Sequence, residues 1–482
     1  MRKTKLWIAG KWVTASRNVT LYNPHTGGAL AEIGHASPKQ ASLAIEAAAQ
    51  AFLSFSDMPI HERAMILHKA ALIIELRQEE AALIIVEEAA KPITAARKEI
   101  KRTIQTYHLS AEAAKYLHGE VIPMDAVPHG ENHIAYVTRK PLGVVTAITP
   151  FNFPFNLVAH KVGPAIAAGN TIVLKPAEKT PLSSLFLAEV FQEAGLPPGV
   201  LNIIPGDGKK LSEVLTQHDK VPYITFTGSP KVGSIIRKQA GLRRVALELG
   251  SNSPLLVDQG FNTTELDRIA GETVKGAFAY NGQICISIQR AYVHSSIYDE
   301  FIKLLVKHVD SLKIGDPLNE DTDISALINS EAAHRLQGWL DNAVKRGAQI
   351  HAGGRFDKSI MHPTVLTHVP ADTELNCEEA FGPVVTVAPF ELWEDAIQMA
   401  NASKYGINVG VFTKDIERSH KAAKLLQAGG VLINEIPTFR VDHMPYGGVK
   451  DSGIGREGVR YAMEEMMELK LVGFRTGVYV SE

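Results

Sequence analysis

The 482-residue chain has little cysteine, almost no net charge and no long apolar run. Its two cysteines exclude a disulfide framework and are typical of a reducing compartment, so we expect a cytoplasmic protein. A formal net charge of -2 gives no electrostatic reason to expect nucleic acid or an anionic membrane as a partner. No run reaches the roughly 18 apolar residues of a membrane span. The basic start lacks a signal-peptide core because Lys11 interrupts its apolar residues.

What is present is the composition of an ordinary globular protein. Hydrophobic residues make up 45% of the chain and charged residues 21%, a balance typical of folded soluble domains. A chain of 482 residues is too long for one hydrophobic core, so we expect roughly two to four compact units.

The first 140 residues contain short strands and then several helices. Strands are expected at 6–13 and 19–22, with a turn after them. Ser37 followed by Pro38 predicts a helix start with Ser37 as the N-cap. The remaining elements expected here are helices at 40–55, 60–77, 79–90 and 93–117, a loop at 119–132 and a strand at 134–140.

From residue 143 to 250, five apolar strand patterns alternate with helical patterns. This alternation predicts a parallel sheet with helices on both faces. Ligands of such sheets bind beyond the carboxyl ends of the strands. A second α/β unit follows from 254 to about 434, and the tail 466–480 is strand-like and is expected to pair with 134–140. The fold class is therefore α/β.

The usual dinucleotide fingerprint, GxGxxG, is absent. In its place, Gly228-Ser-Pro-Lys-Val-Gly233 occupies a predicted turn from a strand to a helix. Glycine lets a phosphate approach the backbone, and the helix N-terminus attracts its charge. The alternative is a simple turn without a ligand.

Lys175 and Glu178 follow the second strand of this sheet. A cation and a carboxylate at that position can hydrogen-bond the hydroxyls of a ribose. The carboxylate would repel a 2′-phosphate, which favours NAD over NADP. The alternative is a solvated ion pair at a strand end.

Cys285 lies in an uncharged, glycine-containing segment between a helical pattern, 264–279, and a strand pattern, 289–294. A cysteine at such a junction is able to act as a nucleophile if its thiolate forms and reaches a substrate. The alternative is a small buried core residue. Cys377 is the weaker candidate, because the adjacent Glu378 and Glu379 disfavour a thiolate.

Glu248 and Asn152 both lie at predicted strand ends. Glu248 has leucine on either side, and apolar surroundings favour the neutral form of an acid and make it a candidate general base. Asn152, in a proline-bounded turn, offers an amide donor for an oxyanion. The alternatives are a glutamate that faces water and an asparagine that serves only its turn.

Seven motifs along the chain together resemble the series that defines the NAD(P)-dependent aldehyde dehydrogenase superfamily. They occur in the same order and span nearly the whole chain. The motifs are Thr149-Pro-Phe-Asn-Phe-Pro, Val173-Leu-Lys-Pro-Ala-Glu, Phe226-Thr-Gly-Ser, Leu247-Glu-Leu-Gly, Asn281-Gly-Gln-Ile-Cys, Glu378-Glu-Ala-Phe-Gly-Pro-Val and Pro445-Tyr-Gly-Gly-Val-Lys-Asp-Ser-Gly.

The resemblance implies three domains and a homo-oligomer, either a dimer or a tetramer. The Rossmann-like NAD-binding domain would comprise residues 1–117 and 140–250, and the α/β catalytic domain residues 251–459. A small oligomerisation sheet would comprise 118–139 and 460–482.

The resemblance also assigns the chemistry. Cys285 matches the nucleophile, Glu248 the general base, and Asn152, with the backbone N–H of Cys285, the oxyanion hole. The thiolate would add to an aldehyde, hydride would leave for NAD to give a thioester, and water activated by Glu248 would release the carboxylate. The resemblance implies no metal.

The cofactor contacts implied by the resemblance fall into three groups. Lys175 and Glu178 match contacts to the adenosine ribose, Ser229 a pyrophosphate contact, and Glu379 with Phe381 contacts on the nicotinamide-ribose side. The full expected set is Phe151, Lys175, Pro176, Ala177, Glu178, Gly228, Ser229, Leu249, Glu379 and Phe381.

Arg102 and Arg440 match positions at which relatives that act on phosphorylated or phosphonate aldehydes bind the anion. Those relatives also carry arginine immediately before the nucleophile, whereas this chain has Ile284. The sequence immediately around Cys285 is more similar to the lactaldehyde dehydrogenase-like branch. We therefore expect a short polar or hydroxylated aldehyde of the lactaldehyde or sulfolactaldehyde type. Succinate semialdehyde and glyceraldehyde 3-phosphate are the alternatives, and solvated surface arginines are the plain interpretation of both positions.

Two rival functions stay open. A CoA-acylating relative would pass the thioester to a thiol, but such relatives tend to lack the glutamate at the position of Glu248. A catalytically silent structural or binding paralogue is disfavoured by the presence of Cys285, Glu248 and Asn152.

Overall fold

The structure, a computed structural model, describes residues 2–477, so residue 1 and residues 478–482 lie outside it. Its first part contains short strands and the four long helices that the sequence predicted. The elements are β1 (Arg2–Lys3), β2 (Leu6–Ile8), β3 (Lys11–Val13), β4 (Arg17–Tyr22), β5 (Ala29–His35), α1 (Pro38–Phe55), α2 (Ile60–Leu76), α3 (Gln78–Ala89), α4 (Ile93–Lys115), β6 (Glu120–Ile122) and β7 (His133–Pro141). The N-cap prediction is confirmed, because Ser37 and Gln40 form a reciprocal capping box.

The middle of the chain alternates strands and helices as predicted. Its elements are β8 (Val144–Ile148), α5 (Asn156–Ala168), β9 (Thr171–Lys175), α6 (Pro181–Glu193), β10 (Leu201–Ile203), α7 (Gly208–Gln217), β11 (Tyr223–Thr227), α8 (Pro230–Ala240) and β12 (Arg244–Glu248). Every residue of α5 is buried, so this helix forms the centre of the core beneath the sheet.

The last part forms a second α/β unit and then returns to the first. Its elements are β13 (Pro254–Val257), α9 (Thr263–Phe278), β14 (Arg290–His294), α10 (Tyr298–Asp310), α11 (Ser330–Lys345), β15 (Gln349–Ala352), β16 (Phe356–Asp357), β17 (Ile360–Met361), β18 (Thr364–Thr367), α12 (Glu374–Cys377), β19 (Val384–Phe390), α13 (Trp393–Asn401), β20 (Asn408–Phe412), α14 (Ile416–Leu425), β21 (Gly430–Ile433), β22 (Gly453–Ile454), α15 (Val459–Glu465) and β23 (Met467–Arg475).

The larger of the two main sheets has the order β22-β12-β11-β8-β9-β10-β2-β3. The strands from β12 to β10 are parallel, whereas the outer strands are antiparallel. The carboxyl ends of the parallel strands therefore meet at one edge. Asn152, Lys175, Gly228 and Glu248 all lie at or just beyond these ends.

The second main sheet has the order β15-β18-β19-β14-β13-β20-β21 and is parallel apart from β15. Cys285 precedes its strand β14. The segment 446–457 runs back to the first sheet, where Gly453 of β22 pairs with Glu248 of β12. This return brings the two sheets into contact around one site.

A small three-stranded sheet, β23-β7-β6, lies apart from both main sheets. The predicted pairing of the tail with 134–140 is confirmed, since β23 pairs with β7 along its whole length. The predicted end of that tail strand, 478–480, lies outside the described residues. The prediction of a loop at 119–132 is wrong at β6, a three-residue strand that is too short to show an alternating pattern.

Two N-terminal strands were also not predicted. Both β1 and β5 belong to a third small sheet, in which β5 pairs with β4. The predicted strand 6–13 is divided by a turn at Ala9 and Gly10, which have φ of 52° and 73°. Among residues 2–477, none of the helices combines the length and the apolar character needed to cross a membrane.

Candidate active site

The backbone before Cys285 reverses direction through three left-handed residues. Tyr280, Asn281 and Gly282 have φ of 47°, 57° and 67°. Left-handed backbone is unfavourable for residues with a side chain and persists only where contacts fix it. The Asn281 side chain provides such contacts, because it donates to the carbonyl of Ala326 at 2.9 Å and accepts from the N–H of Ser325 at 2.9 Å.

The Cys285 thiol lies in a mostly apolar pocket. Its Sγ is 2.8 Å from the hydroxyl of Tyr446. Burial raises the pKa of the thiol to about 12, Tyr446 and Arg440 act in the opposite direction, and Glu379 and Glu248 add to the rise. The thiol is therefore neutral at pH 7 in this state, and its use as a nucleophile requires groups that stabilise the thiolate.

Asn152 is connected to the Cys285 segment through its amide. Its Nδ2 donates to the carbonyl of Gln283 at 3.0 Å, which leaves the second hydrogen of that nitrogen for another acceptor. The backbone N–H of Cys285 has no hydrogen-bond partner among residues 2–477. The two donors together have the character of an oxyanion hole.

A buried ion pair that sequence analysis did not single out supports the Asn152 turn. Lys91 Nζ lies 2.5 Å from Glu99 Oε2 and donates to the carbonyl of Asn152 at 2.6 Å. Glu99 Oε1 accepts from the backbone N–H of Phe155 at 2.9 Å. Both charged side chains are buried, so the loss of either would leave the other unpaired in the core.

Glu248 is buried at the end of β12. Burial raises its pKa well above the usual value, Glu457 adds to the rise, and Arg440 opposes it. The predicted preference for the neutral form is therefore confirmed. Its Oε1 faces Gly447, where an added Cβ would come within 2.8 Å of that oxygen, and its Oε2 is buried without a partner among the described residues.

Tyr446 and Gly447 are consecutive residues, and each contacts one of the two candidate catalytic groups. Tyr446 contacts the thiol of Cys285, and Gly447 lies against the carboxylate of Glu248. Nucleophile and acid therefore approach one dipeptide, although they come from the two different main sheets.

Arg440 belongs to a buried network of charges behind this dipeptide. Its guanidinium lies 3.0 Å from Glu457 Oε2, and Glu457 Oε1 accepts from Lys161 Nζ at 3.1 Å. Burial would raise the pKa of Glu457, but Lys161 and Arg440 lower it to about 2. Arg440 is thus not a solvated surface arginine, and sequence analysis did not single out Lys161 or Glu457.

Arg102 lies on α4 and binds Asp442 with two hydrogen bonds, at 2.6 and 3.1 Å. The buried Asp442 carboxylate also accepts from His160 at 2.9 Å and from Asn156 at 3.1 Å. Burial would raise the pKa of Asp442, but His160 and Arg102 hold it well below its usual range. The Arg102 side chain is 29% exposed, and its Nη1 bonds to no described residue, so one side of the guanidinium faces outward.

Lys175 and Glu178 lie at the end of β9, as the sequence indicated. Lys175 Nζ is 3.9 Å from Glu178 Oε1, which accepts from the backbone N–H of Gly208 at 3.0 Å. Burial lowers the pKa of Lys175. Pro176 and Ala177 form the intervening turn. A buried ammonium and an exposed carboxylate at this strand end fit the hydroxyls of a ribose.

Ser229 is the N-cap of α8, and its hydroxyl accepts from the N–H of Val232 at 3.4 Å. Gly228 donates its backbone N–H to the carbonyl of Glu248 at 2.9 Å. Gly233 in the first turn of α8 packs on Leu249, where an added Cβ would come within 2.5 Å. A helix N-terminus with small residues, at the edge of the sheet where the carboxyl ends of the parallel strands meet, fits a pyrophosphate.

Glu379 lies across the cleft, half-buried beside Gly250. Its Oε1 accepts from the N–H of Ser251 at 3.0 Å, and burial raises its pKa to about 7. The Phe381 ring lies 5.6 Å from the Phe151 ring in an edge-to-face arrangement. The expected cofactor residues thus lie along the carboxyl edge of the first sheet and, for Glu379 and Phe381, on the second unit that faces it, an arrangement that fits a dinucleotide.

Cys377 is exposed, and its thiol donates to the carbonyl of Ala371 at 3.1 Å. No cluster of three or more His, Cys, Asp or Glu side chains within residues 2–477 is arranged to hold a metal ion.

Comparisons with known proteins agree with this geometry. The chain is 43% identical over 468 residues to 3-sulfolactaldehyde dehydrogenase from Priestia aryabhattai, covering 97% of each protein. It is 40% identical over 471 residues to lactaldehyde dehydrogenase from Methanocaldococcus jannaschii, covering 97% of this chain and 99% of the relative. A crystal structure of aldehyde dehydrogenase 21 from Physcomitrella patens, in complex with the reaction product succinate, superposes with a TM-score of 0.96 at 37% identity, covering 99% of both chains. Residues 12–472 match the aldehyde dehydrogenase family, and the chain belongs to that family of NAD(P)-dependent enzymes.

Proposed function

We propose that this enzyme oxidises a short polar or hydroxylated aldehyde, of the lactaldehyde or sulfolactaldehyde type, to its carboxylate with NAD. The observation that carries the catalytic part is the dipeptide Tyr446-Gly447, which contacts the Cys285 thiol on one side and the Glu248 carboxylate on the other. The substrate class rests on the names of the two relatives at 43% and 40% identity.

In the first half-reaction the Cys285 thiolate adds to the aldehyde carbon and forms a thiohemiacetal. The second amide hydrogen of Asn152 and the backbone N–H of Cys285 stabilise the oxygen that becomes negative. When bound, NAD supplies the acceptor for the hydride that the oxidation removes. The product left on Cys285 is a thioester.

In the second half-reaction Glu248 takes a proton from water, which attacks the thioester and releases the carboxylate. The raised pKa of Glu248 makes this carboxyl a stronger base than an ordinary glutamate once it is ionised. Lys161 and Arg440 favour the ionised form and Glu457 opposes it.

The direct test is oxidation of an aldehyde panel by the wild type, Cys285→Ala and a matched Cys377→Ala variant. We expect Cys285→Ala to lose all NADH formation and Cys377→Ala to retain it, because Cys377 lies on the surface. An active Cys285→Ala enzyme would disprove the nucleophile. An inactive wild type on every aldehyde would favour the silent paralogue, and a dependence on CoA would favour the acylating relative.

The substrate test uses lactaldehyde as the neutral aldehyde and sulfolactaldehyde and succinate semialdehyde as anionic ones. If Arg102 binds the anion, Arg102→Gln lowers kcat/KM for the anionic pair by about 10- to 100-fold more than for lactaldehyde. Arg97→Gln, on the same helix but paired with Glu79 and Glu320, is the control.

The same panel with Arg440→Ala tests the second arginine. Equal losses for neutral and anionic substrates would remove its anion-binding role and leave Arg440 as part of the network with Glu457. The succinate complex of aldehyde dehydrogenase 21 makes succinate semialdehyde the principal alternative substrate, and a higher kcat/KM for it than for either lactaldehyde would establish that alternative.

We infer that three parts of the chain have separate functions. Residues 1–117 and 140–250 would hold the dinucleotide, with Lys175 and Glu178 on the adenosine ribose, and 251–459 would supply the nucleophile.

Residues 118–139 and 460–482 would join subunits into a dimer or tetramer in the cytoplasm, which the exposed apolar side chains of β7 and β23 support. Light scattering of the wild type and of Leu471→Glu, with Leu76→Glu as the control, tests the assembly.

A further inference from the structure

We propose that the Tyr446 hydroxyl is a catalytic group that donates a hydrogen bond to the Cys285 thiolate and thereby makes the nucleophile available. This proposal rests on the function proposed above, in which Cys285 attacks the aldehyde. It adds a residue to which the motif assigns no chemistry, since Tyr446 enters the resemblance only as part of the stretch Pro445-Tyr-Gly-Gly.

The contact itself is short and sheltered. The Tyr446 oxygen lies 2.8 Å from Cys285 Sγ, and only 3% of Tyr446 is exposed. While the thiol is protonated, either atom is able to donate. A thiolate has no proton, so the hydroxyl must then be the donor, and hydrogen bonds to a charged acceptor are about twice as strong as neutral ones.

Arg440 strengthens that donor. Its guanidinium carbon lies 3.7 Å from the centre of the Tyr446 ring. A cation on the face of a phenol withdraws electron density and makes its O–H more acidic. The charge also acts directly on the nearby sulfur, where it lowers the thiol pKa.

The position of the hydroxyl is fixed by the neighbouring backbone. The N–H of Tyr446 donates to the carbonyl of Glu457 at 3.0 Å, and the carbonyl of Tyr446 accepts from the N–H of Glu457 at 2.7 Å. The Glu457 carboxylate at the same time binds Arg440. One residue therefore holds both the tyrosine and the cation that lies on its ring, and Arg440 and Glu457 act as positioning residues.

The test measures the Cys285 thiol without any substrate. Iodoacetamide alkylation is followed against pH in a Cys377→Ser background, because Cys377 is exposed and is the other thiol of the sequence. Mass spectrometry of the labelled peptide verifies that the alkyl group is on Cys285. Tyr446→Phe removes only the hydroxyl, since phenylalanine fills the same space.

We expect Tyr446→Phe to raise the thiol pKa by about one to two units, which slows alkylation about 10- to 100-fold at a fixed pH below the pKa. Tyr298→Phe, on α10, is the matched control, because it also loses one hydroxyl hydrogen bond, to the carbonyl of Val387 at 3.1 Å. Its alkylation profile is expected to coincide with that of the background protein. Identical profiles for Tyr446→Phe and the background would overturn the proposal.

A second measurement separates this proposal from the proposed function. Single-turnover NADH formation in Tyr446→Phe is expected to fall in the same proportion as alkylation, and to recover as the pH is raised. A raised thiol pKa with unchanged turnover would leave the donor role intact but would contradict Cys285 as the attacking group. Equal melting temperatures of the two tyrosine variants would exclude a merely structural loss.

Discussion

Two buried glutamates, Glu248 and Glu457, lie near the same dipeptide, Tyr446-Gly447, but their pKa values are shifted in opposite directions. Glu457 has two cationic partners, Lys161 and Arg440, and its pKa falls to about 2. Glu248 forms no ion pair among the described residues, and burial raises its pKa well above the usual value. Burial alone thus does not determine ionisation, because the direct partners decide which of two neighbouring acids stays ionised and which has the raised pKa that makes its carboxylate a stronger base.

The largest expected effect on activity comes from removal of the Glu248 carboxyl group. Glu248→Gln keeps the shape of the side chain but abolishes its basicity, so kcat should fall by about 10²- to 10⁴-fold. The acyl enzyme should then accumulate, and intact-mass spectrometry of the quenched reaction would detect it on Cys285. A variant that turns over normally and shows no adduct would contradict the base role of Glu248.

The opposite change, Glu457→Gln, removes the ionised partner and leaves Lys161 and Arg440 facing an amide. The breaking of a buried ion pair should destabilise the protein by about 3–5 kcal/mol, measured as a fall in the thermal midpoint. Glu272→Gln, which breaks an exposed pair with Arg268, should cost at most about 1 kcal/mol.

The same variant should also shift the pH profile. The negative charge of Glu457 raises the pKa of Glu248, so in its absence Glu248 ionises at lower pH. The ascending limb of kcat for hydrolysis should therefore move towards acid. A limb that stays in place or moves towards alkaline pH would indicate that the two carboxylates do not interact.

Stability should also depend on pH through Glu248. Its folded pKa lies above the unfolded value of about 4.3, so its contribution is fully present below that pH and is lost as the pH rises towards the folded pKa. Relative to the wild type, Glu248→Gln should gain about 1.4 kcal/mol per pH unit over this range. Thermal midpoints at several pH values measure the gain, and parallel curves would contradict it.

A third carboxylate, Glu178, is exposed and extends the comparison to a group in contact with solvent. Glu178→Gln should lower kcat/KM for NAD a few-fold and raise it for NADP by about tenfold, because the repulsion of a 2′-phosphate is removed. Initial rates with both nucleotides measure the ratio. Glu213→Gln on the neighbouring helix α7 is the control, and an unchanged ratio in Glu178→Gln would remove its role in cofactor choice.

Much of the architecture was accessible from the sequence because its signals are local. Apolar strand patterns followed by helical ones predicted the alternation from β8 to β12, and Ser37 with Pro38 predicted the start of α1. The motifs drew attention to Cys285, Glu248 and Asn152 at chain positions where strands and helices meet. The strands β1 and β6 were missed because their two and three residues are too few to show a period, and the seven-residue strand β5 was missed as well.

The surroundings of the site could not be predicted, because they depend on contacts between distant residues. Tyr446 meets Cys285 across 161 positions, and Lys161 meets Glu457 across 296. Arg440 was interpreted either as an anion-binding or as a solvated residue, and no local pattern indicates that it lies buried on a tyrosine ring. The pairing of Lys91 with Glu99 is near in sequence, but the carbonyl of Asn152 that it supports is not.

The left-handed turn at Tyr280, Asn281 and Gly282 has a consequence for how the enzyme matures. Asn281 is held by Ser325 and Ala326, 44 and 45 residues further along the chain, so the turn forms only after that later segment has been synthesised and has docked. We therefore expect activity to return late in refolding, after the helical circular dichroism signal has recovered. A nascent chain that ends before residue 325 would contain Cys285, Glu248 and Asn152 in its sequence and yet show no turnover.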